Sequence, residues 1–262
     1  MSMRPTPDPH PRHDPRDEYT LLCERCGYVL EGLAQDGNCP ECGTPIAESL
    51  PGNTRTGTDW QRSPAPHSFL TTLWRTLAQP RRTFDRLRID ARSTGSLEAW
   101  TTLLAAALFV APSFVYYALR VLFGPNPAQR SILQDAALGV AGLIGGTLIV
   151  ALILSILTGI ERTGIRAYGR VHRRRITYAI ANSVCAHACV GWLTAAVLFS
   201  IALLIARSVG SFWWLVLPTL ALFLGLLHFE ILVWLGVKRC RYANRERPQT
   251  SPPLSRPVHP SP

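Results

Sequence analysis

Polar and apolar residues are segregated along this chain. The first 95 and last 20 positions are mostly polar, and between them lie four long, nearly uncharged apolar runs: 99–119, 136–160, 176–206 and 212–237. Crossing a hydrocarbon core of about 30 Å takes about 20 helical residues. The pattern therefore predicts an all-α integral membrane bundle of four spans over residues 97–240. Pro112 and Pro218 fall inside the first and fourth runs and predict kinks. The third run is overlong and polar in its first half. Trp100, Tyr116, Tyr117, Trp213 and Trp214 cluster near run ends, as in interfacial aromatic belts.

Before the first span comes HSFLTTLWRTLAQPRRTFDRLRID. Leu70, Leu73, Trp74 and Leu77 recur at i, i+3, i+4 and i+7, with Phe69 at the edge, which is the spacing of one helical face. Pro80 interrupts, and Phe84 and Leu87 follow among arginines. This predicts an amphipathic helix over 69–96 lying in the membrane interface; a helix packed on a soluble core is the alternative. Residues 51–68 read as a flexible polar linker. Residues 1–19 hold five prolines and no apolar signal-peptide core, and read as a disordered tail. The Pro-rich segment 241–262 reads the same way.

Charge then gives the bundle a direction. The net charge is +10, and every basic residue except Lys238 is arginine. Seventeen arginines and lysines flank the segment before span one, the loop between spans two and three, and the end of span four. Only Arg120, Arg130 and Arg207 lie in the other two loops. The positive-inside rule places both termini and the central loop in the cytoplasm of a multi-pass cell-membrane protein.

Four cysteines in residues 20–50 would then face a reducing compartment, where disulfides are disfavoured. Cys23-x-x-Cys26-Gly27 and Cys39-Pro-x-Cys42-Gly43 are two knuckles separated by twelve residues. Four thiolates fill a tetrahedral Zn²⁺ shell and leave no open position, so the implied cofactor is one structural zinc ion per chain. Rubredoxin-like iron and a thioredoxin-type couple remain alternatives. The segment resembles a zinc ribbon, which implies a small β-rich unit. Glu24, Glu31, Asp36, Glu41 and Glu48 outnumber Arg25 in it, so nucleic-acid binding is excluded by repulsion from phosphates. Its acidity complements the basic loop Arg170–Arg175, which raises two options: docking there, or hanging free on the linker.

The spans also hold polar groups. Asn182, Cys185, His187 and Cys189 lie in the third, and His228 and Glu230 in the fourth, a candidate intramembrane polar site. A His187–Glu230 or His228–Asn182 contact is compatible with their depths. Packing through interhelical hydrogen bonds, an ion path and a soft-metal site are the competing roles. Without a recognisable catalytic motif, no catalytic residue is assigned and the chain is read as a non-enzyme. Gly142 and Gly146 form a GxxxG step suited to close packing or to a homo-oligomer contact.

The lead-in LWRTLAQPRRTFDRL, with Trp74, Pro80 and Phe84, followed by a bundle whose central loop ends HRRRITYAIANSV, resembles the Yip-type membrane domain over residues 69–240. That family has five spans where four are counted here, and no binding residue carries over. The resemblance implies a non-enzymatic role in membrane organisation, scaffolding or trafficking. The functional expectation is an adaptor for a cytoplasmic protein partner, embedded in the lipid bilayer. The alternative is a transporter or metal/redox sensor using the intramembrane Cys, His and Glu residues.

Overall fold

The computed structural model describes residues 19–89, 92–123, 132–172, 174–209 and 213–246. Of the expected tails 1–19 and 241–262, residues 1–18 and 247–262 lie outside these residues.

Four helices are long and apolar enough to cross a membrane, which makes this a helical membrane protein. They arise from α4 (Arg92–Phe123), α5 (Ile132–Val171), the pair α6 (Tyr178–Ala188) and α7 (Val190–Val209), and α8 (Trp213–Cys240). Only 17% of the most apolar part of α4 and 6% of that of α5 is buried. A soluble monomer rarely exposes so much contiguous apolar surface; in lipid that surface is at home. Pro112 and Pro218 lie inside unbroken helices.

α7 and α8 pack antiparallel through small residues. A Cβ at Gly225 would sit 2.2 Å from Ala195 Cβ, and one at Gly191 would sit 2.6 Å from Phe229 Cα. Gly236 faces Val184 in the same register. Small side chains let helix axes approach where lipid supplies no hydrophobic drive. Trp214 and Trp234 stand twenty positions apart on α8, about 30 Å along a helix and so one hydrocarbon thickness. Arg207 lies over the Tyr116 and Trp214 rings at one end, and Lys238 over Trp234 at the other.

The α7–α8 register puts Trp234 level with Ala186, which explains the overlong third span. α7, with 20 residues, makes the crossing. α6 extends beyond it, and its residues from Ala179 to Ala188 are all buried. Its polar side chains therefore meet protein rather than lipid. α5 likewise runs 40 residues, about 60 Å, and continues to Val171 through most of the expected central loop. Glu98 of α4 accepts two bonds from Arg162 of α5, at 2.6 and 2.7 Å. An arginine assigned by sequence to a loop is thus the partner in a half-buried helix-to-helix ion pair.

Three short helices cap this protruding end: α1 (Asp59–Arg62), α2 (Pro66–Ala78) and α3 (Pro80–Arg86). The expected single helix over 69–96 is broken at Gln79, because Pro80 disfavours helical backbone in the residue before it. The expected flexible linker is also ordered. Thr58 caps α1 in a reciprocal capping box with Gln61, and Trp60 packs edge-on against Phe69.

Candidate metal centre

Residues 22–45 form two copies of one turn. In each, the first cysteine of a knuckle receives an N–H bond from the glycine four residues on and donates its own N–H to the carbonyl five residues on. The partners are Gly27 and Tyr28 for Cys23, and Gly43 and Thr44 for Cys39. Gly27 and Gly43 have φ of 85° and 70°, a region L side chains enter at a cost of about 1–2 kcal/mol. Single bridges close the turns, Leu22 to Val29 and Asn38 to Pro45. The β-rich expectation is therefore met only by these bridges; among the described residues no strand forms, because each arm holds one bridging pair before it turns.

The turns bring the four cysteine sulfurs together, all within 4.8 Å of one another. Cys23 and Cys42 Sγ are 3.5 Å apart, and Cys26 and Cys39 Sγ 3.6 Å. A disulfide needs about 2.05 Å. Four thiolates about 2.3 Å from a tetrahedral ion would be about 3.8 Å apart. The spacing fits a metal ion held by Cys23, Cys26, Cys39 and Cys42. Burial pushes the Cys26 thiol well above its ordinary range, while hydrogen bonds from Thr44 bring Cys42 down to about 6. A cation among the sulfurs would favour thiolate on all four. Apart from cysteines, the buried aliphatic residues of this unit are Leu30 and Ile46, which pack around the sulfurs, and Leu22, too little to fold about 30 residues without a cross-link.

Of the residues that mount the unit on the bundle, sequence patterning singled out Arg175, at the end of the basic loop, but not Asn244 or Arg55. Asn244, expected in a disordered tail, is 4% exposed and its amide is fully used. Its Nδ2 donates to the Leu22 and Ser49 carbonyls, both at 2.7 Å, and its Oδ1 accepts from Leu22 N–H at 3.0 Å and Arg175 at 2.9 Å. Arg175 also donates to the carbonyls of Thr20 and Ala243. On the other side Glu24 accepts from Arg55 at 2.9 Å. Arg55 further donates to the carbonyls of Phe84, Leu87 and Arg239. Arg55 thus ties the unit to α3 and α8 at once. The unit does meet the basic loop, at its last residue, while Glu41 and Glu48 stay exposed.

Tyr242 completes the mount. A Cβ at Gly27 would lie 2.7 Å from its ring, whereas one at Gly43 meets nothing within 4 Å. Gly27→Ala is therefore expected to loosen docking as well as strain the turn, and Gly43→Ala to strain the turn alone. Limited proteolysis should cut the unit free in Gly27→Ala but not in Gly43→Ala, and Tyr242→Ala should remove the difference. Equal cleavage of the two glycine variants would count against docking through Tyr242.

The polar residues of the third and fourth spans do not converge. His187 Nδ1 donates to the Ser183 carbonyl at 2.9 Å, so Nε2 accepts from Thr58 Oγ1 at 3.2 Å. Its partner is thus the cap of α1, which it holds against α6, and the expected contact with Glu230 is not formed. Asn182 donates to Thr94 of α4 at 2.8 Å, not to His228. Cys189 lies 3.8 Å from Thr158 Oγ1, which also accepts from Trp192 Nε1, and Cys185 is buried beside it in the same core. Glu230 faces Glu161 across a 610 Å³ groove between α5 and α8. Among the described residues the only group of metal-ligating side chains is the four-cysteine cluster. A Cβ at Gly146 would meet Val110 of α4 at 3.2 Å, and one at Gly142 would meet nothing within 4 Å, so the two glycines of the GxxxG step do not act as one contact within the bundle.

No family model, curated protein or solved structure matches the chain.

Proposed function

We propose that the protein is a non-catalytic membrane adaptor whose structural zinc ribbon is held on the cytoplasmic face to receive a protein partner. The observation that carries this is the mount. Asn244, Arg175 and Arg55 fix one side of the unit to the bundle, while Tyr28, Leu33, Asp36 and Glu41 face outward. Rigid presentation lowers the ordering cost of binding. Zinc is the ion a closed shell of four thiolates fits best. The charge asymmetry supports the cytoplasmic assignment, and the layout resembling the Yip-type domain supports a scaffolding or trafficking role. Transport ranks second and rests on Glu161 and Glu230 sharing a groove.

A photo-crosslinking residue at position 36 or 41 of the membrane-embedded protein is expected to give one discrete protein adduct. Reversing the charge at Asp36 and Glu41, with the crosslinker moved to position 33, should abolish it. Crosslinks only to lipid or to the chain itself would sink the adaptor reading.

A further inference from the structure

We propose that α1, α2 and α3 build a site for an anionic phospholipid headgroup in the leaflet on the ribbon side. The proposal rests on the membrane reading of the chain but not on the adaptor role.

The apolar residues of α2 divide between two directions. Leu73 joins the core, with Thr72 and Thr76 buried nearby. Leu70, Trp74 and Leu77 form an outer row that stays 62%, 68% and 39% exposed. α2 touches both α6 and α7, the junction where the third span reaches the level of Trp234. The exposed row therefore lies near the boundary from which Val197, Ile201 and Leu204 of α7 continue outward into lipid. A helix so placed sinks its apolar row to the depth of the headgroups and upper acyl chains.

Beside this row is a 350 Å³ cavity lined by Arg62, Arg75, Arg82, Arg86, Asp59 and Trp74, with threonine hydroxyls between them. Asp59 is the only carboxylate in the lining, and it pairs with both Arg62 and Arg75. It orders two guanidinium groups but can neutralise only one charge. Arg82 donates to Gln79 Oε1 at 3.1 Å. Among the described residues neither Arg82 nor Arg86 meets a carboxylate. A phosphodiester supplies the missing acceptors, since guanidinium planes match phosphate oxygens bidentately. A zwitterionic headgroup brings an ammonium that four arginines and one aspartate disfavour, so the complementary ligand has a net negative headgroup. Trp74 belongs to both the cavity and the exposed row, which places the phosphate where a lipid's chains would lie along Leu70 and Leu77.

The test uses the full chain in detergent, with lipid retention followed by native mass spectrometry. Phosphatidylglycerol should bind at least tenfold tighter than phosphatidylcholine. Arg82→Gln/Arg86→Gln should weaken phosphatidylglycerol about 25-fold, at about fivefold per guanidinium, without changing phosphatidylcholine. Arg82→Lys/Arg86→Lys should recover part of the loss. The control Arg81→Gln/Arg170→Gln removes the same charge from exposed positions outside the cavity and should leave binding unchanged. Equal loss in the control would reduce the effect to general surface charge and overturn the site. Undiminished binding in Arg82→Gln/Arg86→Gln would overturn it as well. Glycerol 3-phosphate competing at the lipid's own Kd would identify a soluble anion and overturn the lipid assignment.

Discussion

Chelation, or the double substitution Cys23→Ser/Cys26→Ser, is expected to unfold the N-terminal unit while leaving the four-helix bundle intact. Metal analysis of the detergent-purified chain should give one zinc ion per chain, absent from the variant. The effect is large because the unit has little else to fold with: Leu22, Leu30 and Ile46 are its buried aliphatic residues. Structural zinc contributes about 10–16 kcal/mol in comparable peptides, more than three aliphatic side chains supply at about 1.5–3 kcal/mol each. Loss of the fold should also release Asn244 and Tyr242 and open residues 20–50 to protease. Helical content should scarcely change, because the unit holds one 3-10 turn, Ile46–Ser49. Stoichiometric iron with its visible absorbance would replace zinc as the ion. Wild-type protein purified without chelator and free of metal would refute the centre. A second zinc surviving in the variant would return attention to Cys185, His187 and Cys189.

Arg55→Ala is expected to be the most damaging substitution outside the cysteines. The side chain is 5% exposed and its partner Glu24 18% exposed. Removing the guanidinium takes the counter-charge from the Glu24 carboxylate, which keeps the Asn244 N–H at 3.2 Å, and takes a donor from the Phe84, Leu87 and Arg239 carbonyls. Breaking a buried pair from one side costs about 3–5 kcal/mol, which is comparable to the whole energy of a modest docking contact. The unit should keep its metal, since no ligand is touched, but should detach from α3 and α8. Zinc content near one per chain combined with rapid proteolysis between residues 50 and 60 is the expected signature. Arg55→Lys should not restore docking, because one ammonium cannot span Glu24 and three carbonyls in that geometry. Retained protease resistance in Arg55→Ala would show that Asn244 and Arg175 suffice.

The two variants separate what the centre does from what the mount does. The four-cysteine centre draws the turns together, and Arg55 with Asn244 turns a small unit that could swing on a tether into a fixed feature of the membrane protein. His187 fits the same division. Its position in an apolar run made it a candidate ligand, yet its two ring nitrogens are used by Ser183 and Thr58, one on its own helix and one in the segment read as linker.

Hydropathy alone located the four spans, because a bilayer imposes a length and a composition that every crossing helix must meet independently of its neighbours. Cysteine spacing located the four-cysteine cluster for a related reason: each knuckle is a local turn, and two of them suffice to bring four sulfurs together. Pro80 marks an interruption in the sequence, but the division of 69–96 into separate helices emerged only in the structure. Helix ends were less legible, since nothing in the chemistry of residues 161–171 stops a helix from leaving the membrane and continuing. Pairing of distant residues left no local trace at all. Leu22 and Asn244 are 222 positions apart, and Arg55 and Arg239 184, so no period or spacing connects them. Whether the polar residues of α6 face lipid, an ion path or protein depended on what α1, α4 and α8 place against them. Folding set those contacts; in the sequence they are isolated polar letters among apolar ones.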